Sequence, residues 1–402
     1  MDKNYNIASG ARRMQKVEPS PIRAIMDKAA AMRAQGLPVV SFSTGEPDFN
    51  TPTDIKAATI KAIEENQSHY SSNRGLPRLR KILQGYIEKE TGVTYDPDTE
   101  IVITSSGAEA INDAFFGFVE EGDDVIIFSP AFMNYKNLTH LCGGNVVTVD
   151  LDADNGFQIN FDALEAAITP RTKMLVLNNP CNPTGTVYSY ESLKRLCELA
   201  VEHNFLILAD EMYSRLVFGD AKFYSIASFP HMRERCLIVS GFSKTFAMTG
   251  WRLGYLVADK SLMKSAFWPH QYSTTCSPTF IQIGVADAME SERTKQEVEE
   301  MLSVFARRRD LVIKRLKEID GLTFNTPGGA FYILINVSKL GVTGEQFALR
   351  LLEEKYVATV PAIGLGRNCG DFIRMSYATS DENIEEGLKR MKELVEEIKA
   401  GR

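Results

Sequence analysis

The 402 residues contain no run near the ~18 consecutive apolar positions that a membrane-spanning helix needs. The opening Met1-Asp2-Lys3-Asn4-Tyr5-Asn6 lacks the apolar centre of a secretion signal. Cysteine is scarce: six residues, at 142, 181, 197, 236, 276 and 369, with no Cys-x-x-Cys pair and no metal-type spacing. That scatter argues against a disulfide scaffold and implies reduced, mostly buried thiols in a cytoplasmic protein. The five histidines, at 69, 140, 203, 231 and 270, are too dispersed to make a metal set, so no metal is expected. Positive charge is in deficit, with 45 Lys and Arg against 52 Asp and Glu and a net charge of −7. Nucleic-acid binding through bulk charge is therefore not expected. Repeats and low-complexity tracts are also missing, which excludes solenoids and linker-rich chains. What is present is 44% hydrophobic and 24% charged residues, the balance of a folded globular protein. The length fits two domains, or one large α/β core with an added lobe.

From about residue 100 to 260, short apolar runs alternate with helix-length segments. The runs are Ile101–Thr104, Val125–Phe128, Lys173–Leu177, Phe205–Ala209, Leu237–Val239 and Trp251–Ala258. Strands that are apolar on both faces and separated by helices predict a mainly parallel sheet covered on both sides. Ligands bind such sheets beyond the carboxyl ends of the strands, and polar clusters stand at those ends. After about residue 285 the pattern changes. A charged amphipathic stretch (290–319), Phe331–Asn336, a helix over 345–355, Phe372–Tyr377 and a helix over 381–399 predict a smaller α+β lobe. The expected organisation is therefore an N-terminal segment over 1–45 packing on the small lobe, with a helix over 22–35 after Ser20-Pro21. A large domain spans 46–285, and a C-terminal small domain spans 286–402.

Four separate strand ends offer a lysine, an aspartate, an asparagine and a Gly-Ser-rich helix entry. Ser105-Ser106-Gly107-Ala108, between a strand and a helix, either binds an anion through free backbone N–H groups or is a plain turn. It is neither a P-loop nor a Gly-x-Gly-x-x-Gly turn. Lys244 follows an apolar strand in a segment poor in charge. Either it is an ordinary surface lysine, or desolvation and the Arg252 cation depress its pKa and make it a Schiff-base nucleophile. Asp210 either caps its strand or pairs with a cationic ring nitrogen.

Seven blocks, taken together, resemble one family: the class I/II, aspartate-aminotransferase-type enzymes of fold type I that use pyridoxal phosphate (PLP). They are Ser43-Thr44-Gly45-Glu46-Pro47-Asp48-Phe49, Tyr70 with Gly75-Leu76-Pro77-x-Leu79-Arg80, and Ser106-Gly107-Ala108. The others are Asn178-Asn179-Pro180-x-Asn182-Pro183-Thr184-Gly185, Ala209-Asp210-Glu211-x-Tyr213, Lys244 to Arg252, and Phe372-Ile373-Arg374-Met375-Ser376. They occur in family order over nearly the whole chain.

The resemblance implies roles. Lys244 would bond the cofactor and move the substrate Cα proton, and Asp210 would keep the pyridine nitrogen protonated. Asn182 and Tyr213 would hydrogen-bond the ring oxygen. Gly107, Ala108, Ser243 and Arg252 would bind the phosphate, and Phe132 would stack on the ring. Tyr70 would reach the phosphate of the other subunit of a homodimer with shared sites. Arg374 would clamp the substrate α-carboxylate, with the Gly45 backbone beside it. The implied activity is amino transfer from an L-amino acid to a 2-oxo acid, with 2-oxoglutarate expected. A C–S lyase on the same fold is the alternative. A PLP-binding transcriptional sensor would need a helix-turn-helix domain, and the ~40 residues before Gly45 are too few for one.

Some positions depart from the family pattern. Gly241 stands where many relatives carry a phosphate-binding serine, with Ser240 as a candidate substitute. Glu109 stands where some acidic-substrate relatives place a lysine, and no second arginine is evident for a distal carboxylate. Arg307-Arg308-Arg309 reads as a solvated helix face. His270-Gln271-Tyr272 reads as either pocket lining on the dimer side or core, and Phe246 and Met248 as packing around the cofactor.

Overall fold

The computed structural model describes residues 10–18 and 21–402. The expected segment over 1–45 therefore lies partly outside the described residues, Ser20 included. Seven strands form the central sheet: β1 (Ile101–Thr104), β2 (Asp124–Ser129), β3 (Asn145–Asp150), β4 (Thr172–Asn178), β5 (Leu206–Asp210), β6 (Cys236–Gly241) and β7 (Gly254–Ala258). Their spatial order is β1-β7-β6-β5-β4-β2-β3. Only β7 runs against its neighbours; β2 to β6 pair in parallel. Successive strand side chains alternate between faces, and both faces are buried. On β4, Met174 and Val176 join one core, while Leu175 and Leu177 join the other. On β2, Val125 and Ile127 oppose Ile126 and Phe128 in the same way. Each such aliphatic side chain contributes ~1.5–3 kcal/mol by leaving water, which makes the strands continuous apolar runs. The α/β architecture with a mainly parallel, helix-covered sheet is the one expected.

Two details differ from expectation. The edge strand β3 is unforeseen, because Asn145-Val-Val-Thr-Val-Asp150 is only half-buried and mixes polar with apolar residues. The last strand begins at Gly254 rather than Trp251, since Thr249–Trp251 form a 3-10 turn and Arg252 is left-handed at φ 57°.

A second, four-stranded antiparallel sheet has the order Val360–Pro361, Phe372–Ser376, Tyr332–Asn336, Thr323–Phe324. Its core receives side chains from the helices Glu292–Leu316, Gly344–Lys355 and Asp381–Lys399. Val40–Ser41 pair in parallel with Val357–Ala358, and Ala29 of the helix Pro21–Ala34 packs on Leu352 and Ala358. The arginine run does not form one solvated face. Arg307 is exposed, but Arg308 is buried, holding Asp48 through both terminal nitrogens at 2.6 and 2.9 Å and Asp381 through Nε at 3.2 Å. Arg309 donates to the Pro327 carbonyl. Helix periodicity places neighbouring residues ~100° apart, so a run of three cannot share one face.

Candidate active site

The carboxyl ends of β1, β2, β4, β5 and β6 lie on one edge of the sheet, and reversal of β7 brings its entry residue Arg252 to the same edge. A cavity of about 400 Å³ opens there. Its lining includes Gly45, Gly107, Ala108, Phe132, Asn182, Asp210, Tyr213, Ser243, Lys244, Arg252 and Arg374. The residues singled out from the sequence thus converge, with two exceptions. Tyr70 is 89% exposed and does not line the cavity. Ser240 is buried away from it, its hydroxyl donating to the Glu211 carbonyl at 3.4 Å, so Ser240 is no substitute for a serine at 241. Gly241 faces Gly254 across the β6–β7 ladder, where an added Cβ would stand 2.9 Å from the Gly254 Cα. A Cβ at Gly254 would meet the Gly107 nitrogen at 2.5 Å. The two glycines let the Ser106–Gly107 turn sit directly on the sheet.

That turn opens the helix Gly107–Phe118, with Ser106 as N-cap in a strained left-handed conformation at φ 103°. The first N–H groups of a helix have no partner within it, and its dipole is positive at this end. Ser243 and Arg252 also line the cavity. A phosphate fits this cradle.

Lys244 sits in the short helix Phe242–Thr245, and its Nζ donates to the Gly45 carbonyl at 2.6 Å. Burial pushes its ammonium down to about 8, opposed by the Glu46 charge and assisted by Arg374 more than by Arg252. Asp210, at the end of β5, is buried, and burial raises its carboxyl above the usual range. The Tyr135 hydroxyl at 2.6 Å, the Met212 N–H at 3.2 Å and the Lys244 charge oppose that rise. A cationic partner facing this carboxylate would stabilise its ionised form, as a protonated ring nitrogen does. The Asn178 amide donates to the Asp210 carbonyl at 2.9 Å, and its oxygen accepts the Asn182 N–H at 2.7 Å, which ties β4 to β5 under the cavity.

Arg374 is buried on the strand Phe372–Ser376, its neighbours Ile373 and Met375 pointing into the lobe core. Its terminal nitrogens donate to the Ser43 carbonyl at 2.9 Å and the Asn182 side-chain oxygen at 3.3 Å, and it lies 4.6 Å over the Tyr332 ring. Its Nε has no partner among the described residues, although buried donors are ordinarily satisfied. The donor set fits pyridoxal phosphate: an anion cradle, a ring-sized cavity, a carboxylate in need of a cation and a readily deprotonated lysine.

Sequence reasoning missed Tyr135, which holds Asp210, and Tyr332, whose hydroxyl is 3.0 Å from that of Tyr213. Tyr135 follows Phe132 by three residues, and that helical spacing was the available signal. Tyr332 carries none, because nothing local marks one residue of an apolar strand as pocket lining. Phe246 and Met248 are buried core residues outside the lining. His270 is also buried outside it.

Residues 38–391 match the family described as aminotransferase class I and II. An aspartate aminotransferase of Pyrococcus abyssi is 40% identical over 96% of this chain and 98% of its own length. Aromatic-amino-acid aminotransferase 2 of Thermococcus litoralis is 39% identical, with the same shares covered. The structure of Thermus thermophilus aspartate aminotransferase with maleate superposes with a TM-score of 0.91 at 36% identity, covering 96% of this chain and 99% of that one. All three are aminotransferases, and the lyase alternative finds no support among them. The match spans most of the chain, and the cavity at the sheet's carboxyl edge fits the cofactor: the chain belongs to the class I and II aminotransferases and is a pyridoxal-phosphate-dependent transaminase.

Proposed function

We propose that the chain moves the amino group of an L-amino acid to 2-oxoglutarate, as a cytoplasmic homodimer with shared sites. The observation that carries this reading is the convergence of a half-buried lysine, a buried carboxylate and a buried guanidinium on one cavity. When bound, pyridoxal phosphate supplies an electron-accepting ring for the electrons of the substrate Cα–H bond. Gly107 and Ala108 N–H groups, Ser243 and Arg252 would bind its phosphate, Phe132 would pack on its ring, and Asn182 and Tyr213 would hydrogen-bond its ring oxygen. Asp210 keeps a proton on the ring nitrogen, oriented by Tyr135. Lys244 Nζ takes the substrate Cα proton; with its pKa near 8 the amine is partly neutral at physiological pH. Arg374, with the Gly45 backbone beside it, binds the α-carboxylate. The second copy brings Tyr70 to the phosphate. The division at 45/46 and 285/286 belongs to the same reading, supported by a second core that draws most of its residues from 301–395 and adds Tyr213, Leu216 and Phe218.

Among the described lining residues the cations are Lys244, Arg252 and Arg374. All three are engaged, so none remains for a distal carboxylate. Met26, Ile111 and Phe132 add apolar surface. This supports neutral aromatic or aliphatic donors competing with aspartate, and the relatives' names span both aspartate and aromatic amino acids. A donor panel with 2-oxoglutarate, followed by glutamate formation, tests the reading. Release of ammonia and pyruvate without consumption of the 2-oxo acid would overturn it. A preference for aspartate above about 10³-fold, ~4 kcal/mol, would overturn the neutral-donor part.

A further inference from the structure

The helix that opens at the phosphate cradle carries a second polar cluster, outside the cavity. Glu109 and Asp113, one turn apart, meet His270 of the helix Lys260–Ser273, with ligand atoms of all three within 4.8 Å of one another. The spacing of 157 residues between Asp113 and His270 hid this set from the sequence.

Two features of the cluster lack a positive centre. His270 is 0% exposed, and its Nε2 is 2.6 Å from the Asn73 carbonyl, which only accepts, so this nitrogen carries a hydrogen. With a single ring proton, its Nδ1 turns a lone pair to Glu109 Oε1 at 3.1 Å, another acceptor. Asp113 is 0% exposed, and neither of its oxygens has a hydrogen-bond partner among the described residues. Burying an ionised carboxylate in this way is among the most expensive arrangements a core can hold. One cation between the three groups relieves both conflicts.

We propose that Glu109, Asp113 and His270 bind a divalent cation of the zinc class. One imidazole nitrogen and two carboxylate oxygens are a ligand set that zinc and its neighbours accept. The Nε2–H bond to a backbone carbonyl is the outer contact that orients metal-bound histidines. The ion's role is positioning. Glu109 also accepts the Ser105 N–H and the Thr274 hydroxyl, so the ion fastens the first turn of the cradle to a second helix and to the Asn73 segment.

The test is metal content and heat stability of the holoenzyme. After chelator treatment and dialysis against zinc, the parent is expected to hold one zinc per chain by elemental analysis, with a melting temperature that rises on loading. Asp113→Asn and His270→Gln, which keep side-chain shape, should weaken zinc at least about tenfold and lose the thermal response. A parent that binds no zinc overturns the proposal and leaves two added protons as the answer. So does an Asp113→Asn chain that holds a full equivalent. If Asp113→Asn does not fold, the His270→Gln metal content decides.

Discussion

Lys244 takes its reactivity from burial, and the pH dependence follows from that. With its pKa near 8 rather than 10.5, the amine is mostly charged below pH 8 and mostly neutral above it. Covalent uptake of pyridoxal phosphate by the apo-chain should therefore speed up as pH rises, with a half-point near 8; a half-point near 10.5 would show an ordinary solvated lysine. Lys244→Ala should abolish turnover yet still hold the cofactor, and borohydride labelling of another lysine would contradict the assignment. Asp210→Asn removes the charge proposed to keep the ring nitrogen protonated, while its amide can still meet Tyr135. It should fold normally and lose several orders of magnitude in kcat. A loss under about tenfold, ~1.4 kcal/mol of barrier, would show that Asp210 does not serve the ring nitrogen. Arg374 should act on every substrate equally, because every donor presents an α-carboxylate to a guanidinium fork. Arg374→Ala should cost aspartate, phenylalanine and alanine alike ~2–5 kcal/mol in kcat/KM; a loss confined to aspartate would make Arg374 a distal-carboxylate reader.

At the level of elements, legibility followed burial. Strands buried on both faces write themselves as unbroken apolar runs, so β1, β2, β4, β5 and β6 stood out, and the polar residues at their ends gave most of the cavity. The half-buried edge strand β3 wrote no such run. The reversal of β7 depends on pairing between distant segments, which no local pattern encodes. The helix Glu292–Leu316 shows the same limit. Its amphipathic period was visible, but Asp48, 260 residues away, decides that Arg308 is buried. Arg308 ties this helix to the segment that carries Gly45, and its guanidinium also lies 5.1 Å over the Phe49 ring. Arg308→Leu keeps much of the volume but leaves Asp48 without its partner. It should cost about 2 kcal/mol of stability by denaturant titration and raise KM more than it lowers kcat. An unchanged unfolding midpoint would show that the contact is energetically neutral.

For the whole molecule, the exposed aromatics argue for a second copy. Tyr70 is 89% exposed and Tyr272 80%, and Tyr272 stacks on the half-exposed Trp268 with ring centres 6.0 Å apart. These residues belong to one neighbourhood, because Arg74 lies over Phe267 and His270 holds the Asn73 carbonyl. Amphipathic aromatics left bare in a group mark contact surfaces, and Tyr70 does not line the cavity of its own chain. In the proposed dimer, each site takes Lys244 from one chain and Tyr70 from the other. Two-fold symmetry then makes a specific prediction. Lys244→Ala and Tyr70→Asp chains, each inactive alone, should recover activity when unfolded together and refolded. In the hybrid, one site carries both lesions and the other carries neither. Random pairing puts half of the dimers in the hybrid form, so roughly a quarter of the parental activity should return. No recovery, with hybrid dimers confirmed by mass, would place Tyr70 in its own chain's site. A strictly monomeric chain at working concentration would remove the shared site altogether.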